Sequence, residues 1–282
     1  MEGVATLMAR AYTWKTLSWE IVMLVLALAF CLPLYLLGTV ALKPTRELFT
    51  NPVSFPRNPS FSNFSVAWEN GGLASALISS FVITACSVAA LIVIGSLCAY
   101  VLARRPGRLS TALYILFLLG IIVPFQLSII PVYVVFHQLG LIGTYLGMIL
   151  LWVGIATPLT VFLYTGFVRT LPRDYEEAAR MDGAGLLRTY VKVVFPLLRP
   201  VTGTVAILTG LFIWNDFFLS LIFLSGSQAQ TLPVAVYSFV GEYVTQWNFV
   251  FATLIIALLP LVAFFVVAQK QMIRGFVGGI RG

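Results

Sequence analysis

Charged residues are scarce in this sequence. Asp, Glu, Lys and Arg make up 10% of the 282 residues and apolar residues make up 60%, whereas an ordinary soluble domain has about 25% charged and roughly 45–50% apolar residues. A soluble core cannot hold that many apolar side chains, and here they fall in long uninterrupted blocks. The composition therefore excludes an ordinary soluble domain and indicates one membrane domain.

Cysteine and histidine are rare, and a phosphate-binding loop is missing. Cys31, Cys86 and Cys98 all lie inside apolar blocks without metal-type spacing, which excludes a disulfide framework and a zinc site. The single histidine, His137, has no cysteine near it to act as a nucleophile, and no G-x-x-x-x-G-K-[ST] sequence is present. We therefore expect no enzyme activity, no metal and no bound cofactor in this chain.

The formal net charge of +7 does not indicate a nucleic-acid partner, because Lys and Arg occupy short gaps between apolar blocks rather than one face. Segments 1–18, 103–110, 169–200 and 269–282 hold 14 of the 17 basic residues. Cytoplasmic loops carry an excess of Lys and Arg. The bias therefore predicts that these four segments, including both termini, are cytoplasmic.

Apolar blocks of about 20 residues must be helices in a bilayer, because lipid leaves no water for unpaired backbone groups. Six such blocks predict six spans, in contact with membrane lipid: Trp19 to Leu42, Ala74 to Leu102, Thr111 to Phe136, Tyr145 to Val168, Val201 to Leu224 and Phe249 to Ala268. The third is the least regular, since Pro131 and His137 lie near its outer end. It is expected to span in one piece, to leave the membrane early or to fold back at the surface.

The predicted organisation is one all-α permease domain between two cytoplasmic ends. Residues 1–18 form the cytoplasmic N-terminus, 19–268 the six-helix domain and 269–282 a cytoplasmic tail. Between the first two spans, Lys43 to Gly72 is rich in Pro, Asn and Ser. It is predicted to be an extended external loop, too short to bury a core of its own.

The cytoplasmic loop 169–200 is the longest of the cytoplasmic segments. Its pattern predicts a short helix with Thr170 as the N-terminal cap, Pro172 in the first turn and Gly183 or Gly185 at the end. The helix dipole favours the three acidic residues of its first turns, which are Asp174, Glu176 and Glu177. Small residues along one stripe would allow a partner to approach closely, and a solvated surface helix is the alternative.

The same loop resembles a known family. It contains Glu177-Ala178-Ala179, three residues, Gly183, nine residues and then Val193–Pro196. This is similar to the EAA loop of binding-protein-dependent ABC importers, whose pattern is EAA, three residues, Gly, nine residues and Ile-x-Leu-Pro. The departures are Val for Ile and Phe for Leu, which replace one apolar residue by another.

The resemblance implies a type I ABC importer permease fold whose short cytoplasmic helix docks in a cleft of an ATPase subunit. Glu177 and Gly183 would be central to that joint. ATP and Mg²⁺ would be bound by the partner ATPase subunits and not by this chain. The residues carried over as ATPase-coupling are Glu176, Glu177, Ala178, Ala179, Asp182, Gly183 and Pro196.

Further strings extend the resemblance over nearly the whole chain and favour the carbohydrate importers, in particular the maltose-type second permease. They are PLYLLGTVALKP, AYVLARRPGR, VPFQLSIIPVYVVFHQLGLIGTY, WNDFF, TLPVAVYSFVGEY and RGFVGGIRG. The implied partners are an ATPase dimer, a second and different permease and an extracytoplasmic solute-binding protein, in a bacterial or archaeal inner membrane. The resemblance also implies contact of residues 225–230 with the binding protein and of the tail 275–282 with the ATPase pair.

One acidic residue falls inside a predicted span. Asp216, in WNDFF, lies about 24 Å along the fifth span when counted from Val201. Ionisable groups within spans usually face a bundle interior or a wet cavity. Trp214, Asn215 and Asp216 are therefore expected to line or brace the outer translocation path, and a structural interhelix hydrogen bond is the alternative.

Other classes of function remain to be weighed. A secondary transporter or channel could also have six spans and an intramembrane Asp, but such carriers more often show paired charges or broken helices near the midplane. A membrane-embedded enzyme is disfavoured because catalytic residues do not cluster. Among importers, a solute other than a sugar, such as glycerol phosphate, stays open.

Overall fold

A computed structural model describes residues 14–105, 107–240 and 246–278, and these residues form helices and loops without a strand. Most of the predicted N-terminal segment 1–18 and the end of the predicted tail lie outside the described residues. The chain divides into two compact units. One comprises residues up to Glu69 together with Phe239–Ile256, and the other comprises Asn70–Ser238 together with residues from Ala257 onward.

The first unit begins with a long apolar helix. Helix α1, Trp14–Ala41, contains nearly all of the first predicted span. It is followed by two short helices, α2 at Thr45–Thr50 and α3 at Ser62–Asn70. The segment between the first two predicted spans is thus partly helical, and the prediction of an extended loop was wrong.

Hydrogen bonds of buried polar groups stabilise the segment Lys43 to Gly72. The fully buried Lys43 donates its Nζ protons to the carbonyl oxygens of Asn51 at 2.8 Å and Pro52 at 2.9 Å. The amide of Asn63 donates to the carbonyl of Lys43 at 2.9 Å and accepts from the amide of Asn248 at 3.1 Å. Because buried polar groups are stable only when hydrogen-bonded, the segment has a defined shape despite its Pro and Ser content.

The second unit contains the remaining helices. In chain order they are α4 Leu73–Arg104, α5 Arg108–Ile122, a 3₁₀ helix Phe125–Ser128, α6 Ile129–Gln138, α7 Tyr145–Thr170, α8 Asp174–Met181, α9 Leu186–Thr189, a π-helical turn Tyr190–Val194, α10 Phe195–Leu197, α11 Arg199–Trp214, α12 Phe218–Phe223 and α13 Leu232–Tyr237. Helix α14, Trp247–Gly278, starts in the first unit and continues in the second.

Helices α4 and α7 pack along each other and form the centre of the second unit. They confirm the second and fourth predicted spans as helices. At one close contact between them, a Cβ atom on Gly95 of α4 would overlap the side chain of the fully buried Thr160 of α7. Because glycine has no side chain, the backbone of α4 can lie directly against the Thr160 side chain.

The third predicted span is not one straight helix. Helix α5 ends at Ile122, and the following segment Phe125–Gln138 is bent away by 91°. Val123 is extended, with φ −72° and ψ 120°, because it precedes Pro124, and a proline disfavours helical geometry in the residue before it. The bend excludes one straight helix, and a bent span, an early departure and a fold-back at the surface all stay predictions.

The fifth predicted span is also interrupted, so the expectation of a continuous helix over Val201 to Leu224 was wrong. Helix α11 ends at Trp214, and α12 begins at Phe218. The break falls on Asn215 and Asp216, whose side chains bond to nearby backbone groups and so compete with helical hydrogen bonds.

Three described helices are long and apolar enough to cross a bilayer by themselves: α1, α4 and α7. Two bent pairs, Arg108–Ile122 with Phe125–Gln138 and Leu186–Leu197 with Arg199–Trp214, raise the number to five if each pair is one span. The described apolar part of α14, Trp247–Ala263, is shorter. The count of six spans and the side of each end therefore stay predictions.

Two apolar clusters fill the second unit, one toward each end of α4. The first is built on Ile83 and Leu91, and the second on Ala99 and Tyr100. The second cluster also contains Tyr190, Val194 and Leu198 of the loop that follows α7. This loop therefore shares a core with α4.

Candidate functional site

The loop 169–200 is helical, but its first helix begins later than predicted. Thr170 is the last residue of α7, and its hydroxyl donates to the Phe167 carbonyl at 2.8 Å instead of capping a new helix. Leu171 precedes Pro172 and is extended, with φ −76° and ψ 129°. Helix α8 starts only at Asp174, so the predicted cap at Thr170 was wrong.

The predicted end of this helix at Gly183 is confirmed. Gly183 has φ +79°, a left-handed conformation that side chains disfavour. Its N–H donates to the Arg180 carbonyl, and the N–H of Ala184 donates to the Ala179 carbonyl, both at 2.9 Å. This pair of bonds is the Schellman motif, which satisfies carbonyls at a helix end and gives α8 a sharp stop.

The two faces of α8 differ. Glu177, Ala178, Asp182 and Gly183 are exposed, and Ala179 is half-buried. Pro196, the last residue of the matched pattern, is half-buried in α10. The predicted coupling residues on α8 thus lie mainly on an exposed surface that a partner protein could reach.

Glu176 differs from those neighbours because it is buried, with 5% of its surface exposed. Its Oε1 is 2.6 Å from Nε of Arg104 at the end of α4, and its Oε2 accepts from the hydroxyl of Tyr100 at 2.9 Å. Arg104 also donates from Nη2 to the Leu171 carbonyl at 2.9 Å. Sequence reasoning missed Tyr100 and Arg104, since Arg104 entered it only as a cytoplasmic positive charge.

A second polar contact joins the loop to α4. The hydroxyls of Tyr190 and Ser96 are 2.6 Å apart and form a hydrogen bond. The ring of Tyr190 lies 5.3 Å from that of Tyr100 and 6.0 Å from that of Phe195, measured between centroids. The loop is therefore fixed to α4 by both polar and aromatic contacts.

Asp216 is engaged locally at the start of α12. Its carboxylate accepts from the N–H of Leu219 at 3.1 Å and from the N–H and the hydroxyl of Ser220 at 2.8 and 2.9 Å. These are free amides of a first helical turn, which a carboxylate satisfies well. Asp216 therefore caps the start of α12 within the interrupted fifth segment. The interhelix hydrogen bond that was the alternative expectation is not among the bonds described for it.

The structure separates the three residues expected on the translocation path. Asp216 borders a cavity of about 370 Å³ that Gln126, Trp152 and other residues also line. Trp214 instead borders a different, apolar cavity of about 380 Å³. Asn215 is exposed and donates to the Leu211 carbonyl at 2.8 Å.

The segment 225–230, expected to reach a binding protein, borders a third cavity of about 680 Å³. The walls include Ser75, Tyr145, Ser227 and Gln230, so several hydroxyl and amide groups face it. The other site predicted by resemblance, the tail 275–282, lies partly outside the described residues, and no contact of it is described.

Comparisons with known proteins identify the family of the chain. The family model for binding-protein-dependent transport system inner membrane components matches residues 91–276. The melibiose/raffinose/stachyose import permease protein MelC of Bacillus subtilis is 39% identical over 269 residues, which cover 94% of this chain and 97% of MelC. The multiple sugar-binding transport system permease protein MsmG of Streptococcus mutans is 33% identical over 272 residues, which cover 95% of this chain and 96% of MsmG.

A solved structure gives the same result for the fold. A chain from the crystal structure of a bacterial ABC transporter involved in the import of the acidic polysaccharide alginate superposes with a TM-score of 0.79 at 20% identity. The match covers 92% of this chain and 98% of that chain. The predicted all-α permease fold is confirmed, and by sequence the chain is a multi-pass transport subunit that belongs to the family of binding-protein-dependent transport system inner membrane components.

Proposed function

We propose that this chain forms half of the translocation path of an ATP-driven importer and receives movement from an ATPase through α8. The observation that carries the proposal is the exposed surface at the end of α8. Met181 is 88% exposed and Leu187 is 71% exposed, beside the exposed Glu177 and Gly183. Apolar side chains that protrude next to a short, sharply ended helix favour a protein partner that covers them.

The partner that fits is an ATPase. The chain lacks a phosphate-binding loop, so ATP and Mg²⁺ would be bound by a pair of partner subunits. A second permease, different from this one, would supply the other half of the path. A loaded solute-binding protein would dock on the outer side, and closure of the ATPases on ATP would rock the two permeases between inward-facing and outward-facing states.

The cargo we propose is a carbohydrate. MelC and MsmG bear sugar transport in their names, and so does the starch degradation products permease protein AmyC of Thermoanaerobacterium thermosulfurigenes, which is 33% identical over 256 residues. The cavity beside Asp216 supports this class, because it combines aromatic residues with amide and hydroxyl groups such as Gln126 and Thr209. Such surfaces suit sugar rings and their hydroxyls.

Reconstitution tests the proposal. The chain is co-expressed with an ATPase, a second permease and a binding protein from the same organism, and the purified complex is placed in proteoliposomes. We expect the ATPase to copurify and uptake of labelled oligosaccharide to require both ATP and binding protein. Uptake by this chain alone, driven by a proton or sodium gradient, would instead identify a secondary transporter, and uptake of glycerol phosphate but not sugars would correct the cargo.

Asp216→Ala tests whether the broken fifth segment braces the path. Loss of the cap is expected to cost about 1–2 kcal/mol and to lower the thermal midpoint by about 4 °C, with a fall in uptake because α12 borders the cavity. Asp216→Asn keeps one acceptor oxygen, so its thermal midpoint and its uptake should lie between those of the wild type and those of Asp216→Ala. Asn215→Ala is the comparison at the same break: it removes the bond to the Leu211 carbonyl, and Asn215 is not among the described residues that border the cavity, so a smaller fall in uptake is expected. Wild-type uptake in both Asp216 variants would discard a role in the path.

A further inference from the structure

Arg104 connects α4 to two parts of the cytoplasmic loop at once. Its Nη2 donates to the carbonyl of Leu171, in the link between α7 and α8, and its Nε pairs with Glu176 on α8. The planar guanidinium directs these donors in fixed directions. A single side chain at the last turn of α4 therefore contacts both the link before α8 and α8 itself.

The pair differs from an ordinary surface ion pair in its burial. The Arg104 side chain is 12% exposed and that of Glu176 is 6% exposed. Both carboxylate oxygens are occupied, because Tyr100 donates to the second one. Removing one member of a buried pair leaves an uncompensated charge, so the loss of either partner costs more than it does in a solvated pair.

Two consecutive glutamates of α8 thus lie on different faces of the helix. Glu177 is exposed, on the surface that the proposed ATPase would cover, and Glu176 is buried against α4. Successive residues of a helix are separated by about 100° around its axis, so neighbours in sequence can contact different partners. One side of α8 is available to receive a push, and the other is attached to a long helix.

The loop has a second attachment on the same helix. Tyr190 bonds to Ser96, which precedes Arg104 by about two helical turns. Its ring packs on Tyr100. The loop after α8 is therefore held to the same stretch of α4 as α8 itself, so that both would move with this helix.

From this geometry we propose that Arg104 and Tyr100 are positioning residues that transfer displacement of α8 to α4 through the buried carboxylate of Glu176. The proposal rests on the proposed function, in which an ATPase moves α8. Helix α4 then carries the movement to α7, because the two helices are in close contact at Gly95 and Thr160. In this arrangement α4 responds directly to displacement of α8, although it is distant from the EAA loop in sequence.

A purely structural ion pair would affect how much complex forms, whereas a transmitting one sets how much solute moves for each ATP hydrolysed. The experiment therefore measures the ratio of solute imported to ATP hydrolysed by the purified complex in proteoliposomes. Arg104→Gln is expected to keep the ATPase bound and hydrolysing while the ratio falls roughly tenfold, as for loss of hydrogen bonds to a charged group. Glu176→Gln is expected to lower the ratio by the same factor in the complexes that assemble. Arg105→Gln is the matched control and should keep the wild-type ratio. Arg105 is exposed, and its side chain has no bond to any described residue.

Tyr100→Phe provides a milder variant that keeps the buried ring and its packing on Tyr190. It removes one hydrogen bond to Glu176, and the ratio is expected to fall roughly threefold. If the charge-removing variants do not assemble, Tyr100→Phe decides alone: a reduced ratio supports transmission, and a wild-type ratio overturns it.

The outcomes also separate this inference from the proposed function. A wild-type complex that shows neither a copurifying ATPase nor ATP-dependent uptake contradicts the proposed function. A wild-type complex that works, with the wild-type ratio in every assembled Arg104, Glu176 and Tyr100 variant, contradicts only the role of α4 in transmission.

Discussion

Replacing Gly183 with valine is expected to lower ATP-driven uptake by roughly thirtyfold. At φ +79° a β-branched residue is strained by about 1–2 kcal/mol or more. If the turn relaxes instead, the two bonds from Gly183 and Ala184 are lost at about 1 kcal/mol each. Either route costs about 2 kcal/mol, which corresponds to roughly a thirtyfold change in the population with an intact helix end. Initial rates of labelled oligosaccharide uptake in proteoliposomes measure the effect.

Gly185 provides the control for this substitution within the same loop. Its φ is −71° and its ψ is 166°, which valine adopts readily, and a Cβ there would meet no atom within 4 Å. Gly185→Val is therefore expected to keep most of the uptake. Equal rates for Gly183→Val and wild type would show that the sharp stop of α8 has no part in transport.

Gly95→Ala is expected to lower the thermal midpoint of the purified permease by about 8 °C. The new methyl group would overlap Cγ2 of Thr160. That side chain cannot easily rotate, because it is fully buried and its hydroxyl donates to the Ala156 carbonyl at 2.8 Å. Overpacking of a core costs about 1–3 kcal/mol, and each kcal/mol shifts the midpoint by about 2–4 °C in a chain of this size. Thermal unfolding in detergent, followed by size-exclusion chromatography or fluorescence, measures the shift.

A compensating substitution makes the steric explanation testable. Thr160→Ser removes Cγ2 and keeps the hydroxyl, so Gly95→Ala combined with Thr160→Ser should recover most of the lost stability. Gly154→Ala on α7 is the control, because a Cβ there has open space. A double variant as unstable as Gly95→Ala alone would mean that the glycine acts in some way other than by close helix packing.

The long helices were predictable because hydrophobic length alone determines them. The apolar blocks at Ala74 to Leu102 and Tyr145 to Val168 match α4 and α7 to within a few residues. The end of α8 was predictable for a local reason as well, since glycine after a helical pattern commonly adopts the left-handed conformation. Both features depend on residues that are close together in the sequence.

Helix boundaries that depend on competition between local signals were harder to predict. Thr170 is a residue type that often caps the start of a helix. Here it is the last residue of α7, because Pro172 disfavours helical geometry at Leu171. Asp216 looked like an isolated charge in a continuous span, yet it caps a new helix and so contributes to the break. In each case the sequence is compatible with a continuous helix and with a helix end, and the residue pattern alone does not show which of the two forms.

The joint between α8 and α4 could not be predicted at all from one sequence. Arg104 and Glu176 are 72 residues apart, and neither lies in a pattern that identifies the other. Their pairing follows from the packing of α4 on α7, which brings the end of α4 under the loop. Sequence reasoning identified the exposed half of α8 and missed the half by which it is attached.

The two interrupted helices have a shared consequence for hydration. The chain departs from regular α-helix around Pro124 and again around Asn215, and residues just after both breaks, Gln126 and Phe218, border the same cavity. In a bilayer, peptide groups outside a helix are stable only within protein or against water. Water that enters this cavity would therefore meet the Gln126 amide and the Asp216 carboxylate, one beside each break, so that two interrupted segments place polar side chains at one point of a mostly apolar bundle.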